Sequence, residues 1–167
     1  MNQKIRNATQ SKLGNITFKS QLEKSSYKTL LELGFNPEYE PKTFTLWEGF
    51  TPITPYYDKE TDTQKEKRIN NGDEILSKQL ILKKSKIVGI RYTPDLYFKY
   101  NNVDIFIELK GVENDVFYIK KKMFLKYLDD KYLSTGQKSM YFEVYTKKQL
   151  LQAIDIIKNY EESITAN

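Results

Sequence analysis

Residues 91–111 read RYTPDLYFKYNNVDIFIELKG, and two runs of alternating polarity, 93–100 and 103–110, flank Asn101-Asn102. Both residues of a two-residue type I′ loop need φ > 0, and asparagine tolerates that better than other non-glycine residues. With these two as the loop, Tyr100 faces Val103. The facing pairs then run through Lys99–Asp104, Phe98–Ile105 and Leu96–Ile107 to Asp95–Glu108. Side chains alternate between faces, so Leu96, Phe98, Ile105, Ile107 and Leu109 share one apolar face. Asp95, Lys99, Asp104, Glu108 and Lys110 share the other. The opposite charges of Lys99 and Asp104 support this register.

The Asp95–Glu108 pair is the anomaly on that face. Two carboxylates directly opposed across a ladder repel, and sheets normally avoid the arrangement. A divalent cation between them makes it reasonable, since Mg2+ takes a few carboxylate oxygens and keeps several waters. Lys110, two residues beyond Glu108, projects toward the same place. A metal held by Asp95 and Glu108 would activate water, with Lys110 orienting or deprotonating it and stabilising a phosphorane-like charge. That constellation suits phosphodiester hydrolysis. The plainer alternative is the charged solvent face of an ordinary hairpin.

At 167 residues the chain has the size of one domain with a real core. It contains neither cysteine nor histidine. This excludes disulfide frameworks, thiolate nucleophiles, His-based triads and imidazole metal sites, and leaves carboxylates, lysine and hydroxyls to do chemistry. No apolar run approaches the ~20 residues that span a bilayer, and the N-terminus lacks the apolar stretch of a secretory signal. An intracellular protein with no membrane partner is expected. The net charge of +5 is compatible with a polyanionic partner, although many soluble proteins are mildly basic.

Residues 1–19 carry Lys4, Arg6, Lys12 and Lys19 and no acid. They read as a flexible basic arm, contacting nucleic acid or simply solubilising the chain. A helix is expected over 20–33, with Ser20 as cap, Gly34 at its αL terminus, and Leu22, Tyr27, Leu30 and Leu33 inward. Ser20-x-x-Glu23 is a capping box, a sufficient structural reason for a glutamate there. The first strand is expected over 38–47, its start confined to an edge or bulge by Pro37 and Pro41. Residues 48–85 break the pattern: 58–71 is nearly all polar, and 73–84 is expected as a short helix with Ile75, Leu76 and Leu80 inward. A long polar excursion inside a compact domain is usually functional or mobile. Over 114–131, Val116, Ile119, Met123 and Tyr127 fall at helical spacing, with Phe117, Phe124 and Leu128 beside them. Lys120, Lys121, Lys122 and Lys126 make this helix a candidate phosphate-contacting surface; a solvated face is the commoner account. Residues 139–145 read as a strand, and Thr146-x-x-Gln149 caps a last helix bearing Leu150, Leu151, Ile154, Ile157 and Tyr160.

The order of elements is that of an α/β (α+β) chain with an αβββαβ core. Pro94-Asp95 followed by Glu108-Leu109-Lys110 resembles the PD-(D/E)XK nuclease signature. The family shares this order: a restriction-endonuclease-like core with a central mixed sheet flanked by helices, here with an insertion at 48–85 between the first and second strands. The segments ITFKSQLE (16–23), PEYE (37–40), YTPDLYF (92–98) and IFIELKG (105–111) further resemble the phage endonuclease I family, which resolves four-way DNA junctions. They also resemble a family of small phage and prophage proteins of uncharacterised function. The resemblance implies an active site of Glu23, Asp95, Glu108 and Lys110. It implies Mg2+ or Mn2+ held by Asp95, Glu108, the Leu109 carbonyl and Glu23, with Glu38 as a nearby accessory acid. The 48–85 excursion departs from endonuclease I, so substrate and dimer geometry do not carry over directly.

The expectation is a single nuclease-like domain over 1–167: a Mg2+- or Mn2+-dependent DNA endonuclease of phage or mobile-element type, acting on branched DNA and working as a homodimer. Its place would be the cytoplasm of a phage-infected or prophage-bearing bacterial host. Lys4, Arg6, Lys12, Lys19, Lys120, Lys121, Lys122 and Lys126 are the candidate nucleic-acid contacts. The alternatives are a nicking or restriction-like nuclease working with partner proteins, and a non-catalytic nucleic-acid-binding or assembly protein on the same fold.

Overall fold

The two-asparagine loop forms as its residue types dictate. Asn101 and Asn102 adopt φ of 47° and 61°, and Tyr100 pairs with Val103, Lys99 with Asp104, Phe98 with Ile105 and Leu96 with Ile107. The structure is a computed structural model that describes residues 10–111 and 115–165, with side chains through residue 160. Lys4 and Arg6 lie outside the described residues.

In chain order the elements are β1 (Ser11–Leu13), β2 (Ile16–Phe18), α1 (Gln21–Glu32), β3 (Glu38–Tyr39), β4 (Phe44–Trp47), β5 (Tyr56–Lys59), α2 (Asp62–Asn70), β6 (Leu80–Lys83), β7 (Ile90–Tyr92), β8 (Leu96–Tyr100), β9 (Val103–Leu109), α3 (Asp115–Thr135), β10 (Ser139–Val144) and α4 (Lys147–Thr165). The fold is mixed α/β, with four helices among the described residues and a mixed four-stranded sheet in the order β10-β9-β8-β3. β9 runs antiparallel to β8 and parallel to β10. The chain divides into two compact units, 1–46 with 91–167 and 47–90.

In the first unit both faces of the sheet are covered, and all seven residues of β9 are buried. The face expected to be apolar packs Leu96, Phe98, Ile105, Ile107 and Leu109 against Leu30 of α1 and Leu150, Ile154 and Ile157 of α4. The opposite face, expected to be a charged surface, carries a second cluster. Phe106 meets Phe44, Tyr92 and the α3 residues Phe117, Phe124 and Leu128. The inward stripe of α3 is therefore displaced by one residue from the expected one. Val116 and Ile119 are exposed, because the larger rings of Phe117 and Phe124 remove more apolar area from water.

Local signals hold at the helix ends. Ser20 Oγ accepts from the Glu23 N–H at 3.2 Å and Gly34 takes φ of 84°. At α4, Thr146 Oγ1 accepts from the Gln149 N–H while Gln149 Oε1 accepts from the Thr146 N–H, at 3.2 and 3.1 Å. Other expectations change. Residues 11–18 form an antiparallel ladder rather than a flexible arm, anchored by the fully buried Phe18 against Tyr27 and Tyr39. The expected strand over 38–47 is two strands, because Glu40 takes φ of 44° and the chain bends there.

In the second unit the expected helix over 73–84 is absent, and the helix lies earlier at α2. Thr61-x-x-Gln64 supplies a complete capping box for that polar sequence. Residues 80–83 instead pair with β5 as an antiparallel ribbon. The connection is tied by Arg68, which donates to the Ile75 and Ser77 carbonyls at 2.8 and 2.9 Å and to buried Glu60. At Gly49 and Gly89 two segments touch: an added Cβ would lie 2.5 Å from the Ile87 and Trp47 carbonyl oxygens respectively.

Candidate active site

The β8–β9 ladder is paired from Leu96↔Ile107 down to the loop. Beyond its open end the Leu109 N–H finds a side chain instead of a strand partner, donating to Asp95 Oδ2 at 2.7 Å. In an antiparallel ladder a residue's N–H and C=O point to the same side, so the Leu109 carbonyl faces the Asp95 edge too. Glu108, the preceding residue, is 4 % exposed. Lys110 forms an ion pair with it and stands 3.9 Å from the centroid of the Phe117 ring.

These side chains open on a cleft of about 710 Å3, whose walls include Lys19, Glu40, Arg91, Tyr92, Asp95, Glu108, Lys110 and Lys120. Burial, and next the charge of Glu108, push the Asp95 carboxyl up to about 8. Two acids brought together away from water resist simultaneous ionisation. Tyr92 donates to Glu108 Oε2 at 2.5 Å, and its hydroxyl lies 3.1 Å from that of Tyr141. Burial raises both phenols above their ordinary range, so each stays protonated and Tyr92 remains a donor. Sequence reasoning missed Tyr92, Tyr141 and Arg91; of Glu38 and Glu40, both candidates to approach the cleft, Glu40 lines it. Tyr92 lies three residues before Asp95, and only the β4–β7 and α3 packing aims it at Glu108.

Tyr92 holds Oε2 of Glu108, and Lys110 pairs with Oε1. Removing an outer partner of a carboxylate ligand typically costs 10–100-fold in metal affinity. If Glu108 is a metal ligand, Tyr92→Phe should weaken Mn2+ binding by about tenfold or more, measured calorimetrically. Unchanged affinity would make the bond a packing contact only.

The remaining expected residues separate. Glu23 is buried at the start of α1, where it accepts from the Lys19 N–H (2.9 Å), Ser20 Oγ (2.9 Å) and the Tyr39 hydroxyl (2.6 Å). It does not line the cleft, although its charge adds to the upward push on Asp95. Glu38 lines a different cavity, and Glu40 takes its place at the cleft, paired with Lys19. The cause is register: Glu38 stands opposite Tyr97, while the Glu40 N–H donates to the Asp95 carbonyl. Of the lysines, Lys19 and Lys120 reach the cleft. Lys121 falls on the inward stripe of α3 and pairs with Glu143 at 2.7 Å. Lys126 pairs with Asp130, and Lys12 and Lys122 are exposed.

Among the described residues no three acidic side chains gather as a metal-holding cluster. The carboxylates lining the cleft are Asp95, Glu108 and Glu40, the last paired with Lys19, and Leu109 is not among its lining residues. Asp95 and Glu108 could hold Mg2+ or Mn2+, which completes its shell with water. Glu23→Gln is expected to change thermal stability by less than about 1 kcal/mol, because glutamine also fills the third position of a capping box. If the chain cleaves phosphodiesters, cleavage should stay within about threefold; a loss of about tenfold at unchanged stability would return Glu23 to the metal shell.

No described helix is long and apolar enough to cross a membrane. No protein-family model, curated protein or solved structure matches the chain.

Proposed function

We propose that the chain is a Mg2+- or Mn2+-dependent DNA nuclease hydrolysing phosphodiester bonds. The observation that carries the reading is the convergence of half-buried Asp95 and buried Glu108 with Lys110 in one open cleft also walled by Lys19, Arg91 and Lys120. Two neighbouring acids withdrawn from water are costly unless a cation or proton compensates them, and the surrounding cations suit a phosphate backbone. The succession α1, β3, β8, β9, α3, β10, with β10 parallel to β9, supports the PD-(D/E)XK reading. The likeness of 16–23, 37–40, 92–98 and 105–111 to endonuclease I supports branched DNA as the substrate class and a homodimer as the working form.

In this reading Asp95, Glu108 and the Leu109 carbonyl hold the ion. When bound, the ion lowers the pKa of water and offsets charge developing on the phosphate. Tyr92 fixes Glu108. Lys110, freed from Glu108, presents its ammonium to the scissile phosphate and its attacking water. Arg91 and Lys120 position the flanking backbone.

The test incubates the chain with supercoiled, linear, single-stranded and four-way-junction DNA, with and without Mg2+ or Mn2+. Metal-dependent scission, fastest on the junction, is expected. Absence of scission on every substrate with either ion would refute the reading.

A further inference from the structure

We infer that a second cavity, about 360 Å3, is a pocket for one unpaired nucleobase of a bound strand. The inference deepens the nuclease reading, which supplies the strand. The cavity itself is defined by Tyr97, Asp104, Phe106, Tyr127, Lys42 and Lys131.

Position comes first. Asp104, Phe106 and Glu108 alternate on one face of β9, so the pocket and the cleft lie four residues apart along one strand. At about 3.3 Å per residue that is roughly 13 Å, the rise of about four stacked nucleotides. The segment 40–44 is the partition between the two cavities. Glu40 and Thr43 face the cleft, while Pro41, Lys42 and Phe44 face the pocket. A strand leaving the cleft over this partition meets the pocket next.

Chemistry selects what enters. The walls are aromatic, and a base has a π-face to stack on such rings, which is how single strands are held. Asp104 is 3 % exposed, and its oxygens accept from the Tyr97 hydroxyl at 2.9 Å and from Lys131 Nζ at 2.8 Å. Each carboxylate oxygen has a second lone-pair position, suited to an exocyclic amine such as cytosine N4. The lining acids, Glu38 and Asp104, stand among the lining cations Lys42 and Lys131, and Lys99 also pairs with Asp104 Oδ1 at 3.7 Å. The acids disfavour entry of a phosphate, and the lysines disfavour a cationic guest. A neutral planar base with an amine satisfies both constraints.

The test uses full-length Glu108→Gln without divalent metal, so that strands stay intact, and labelled single strands of equal length. Oligo(dC) is expected to bind about tenfold more tightly than a fully abasic strand at the same salt, with oligo(dT), which lacks the amine, between them. Tyr127→Leu and Asp104→Asn should each cut the dC advantage to about threefold or less, leaving the salt slope unchanged because phosphate contacts are untouched. Tyr127 is half-buried, so Tyr127→Leu decides the matter if Asp104→Asn does not fold. Equal binding of oligo(dC) and the abasic strand, or an undiminished advantage in Tyr127→Leu, would overturn the pocket. So would oligo(dT) binding as tightly as oligo(dC). A dC advantage in a chain whose wild type cleaves nothing would keep the pocket and sink the nuclease reading instead.

Discussion

Asp95→Asn and Glu108→Gln are each expected to lower metal-dependent cleavage about a thousandfold, some 4 kcal/mol of transition-state stabilisation, while the chain stays folded. Each removes one of the two cleft carboxylates proposed to hold the ion. The same pair predicts a pH signature. Asp95 is raised by burial and Glu108 to about 8, so between the ordinary carboxylate range and pH 8 the folded metal-free chain binds more protons than the unfolded one. The contribution of Asp95 to stability is then fully present below the unfolded pKa and is lost as pH rises toward 8, by up to about 1.4 kcal/mol per pH unit. Asp95→Asn cannot ionise and should flatten that fall, melting higher than wild type at pH 8 without metal. Metal competes with the same proton, so wild-type Mn2+ affinity should climb with pH to about 8. Calorimetric melting across pH 5–9, with and without Mn2+, reads both effects. A metal-free wild type whose stability rises through this window would contradict the buried-pair account, and wild-type cleavage by either variant would remove these acids from the site.

Lys110→Ala is expected to leave DNA affinity within about twofold while reducing single-turnover cleavage by a hundredfold or more, because its contribution lies in the transition state. In the metal-free chain its ammonium is engaged by Glu108 and sits over Phe117. Removing it takes away a local counter-charge of Glu108 without touching Arg91, Lys19 or Lys120, the cleft cations proposed to contact the backbone. Binding would be measured in Ca2+ at several salt concentrations, and cleavage at saturating protein in Mg2+. A loss of affinity with an altered salt slope and an unchanged chemical rate would reclassify Lys110 as one more phosphate contact.

Local rules settled the hairpin before any fold was known. Asn101-Asn102 demands positive φ, the two-residue turn fixes the register from Tyr100↔Val103 to Leu96↔Ile107, and alternation assigns the faces. The caps at Ser20 and Thr146 were legible for the same reason: donor, acceptor and turn lie within four residues. Features that depend on distant pairing were not. Glu38 and Glu40 are equivalent in sequence, and only the alignment of β3 on β8 sends Glu40 to the cleft and Glu38 to the second cavity. Four adjacent or near-adjacent lysines on α3 look alike until Phe117 and Phe124 claim the interior, turning Lys121 to Glu143 and Lys120 to the cleft. Tyr92 gains its hold on Glu108, and Glu23 its Tyr39 partner, from contacts sixteen residues apart in sequence. The sequence by itself determined the paired acids and the lysine beside them, because turn chemistry and side-chain alternation act over a few bonds. Tertiary structure alone decided which charges surround them, because strand register and helix rotation are set by burying the largest apolar surface.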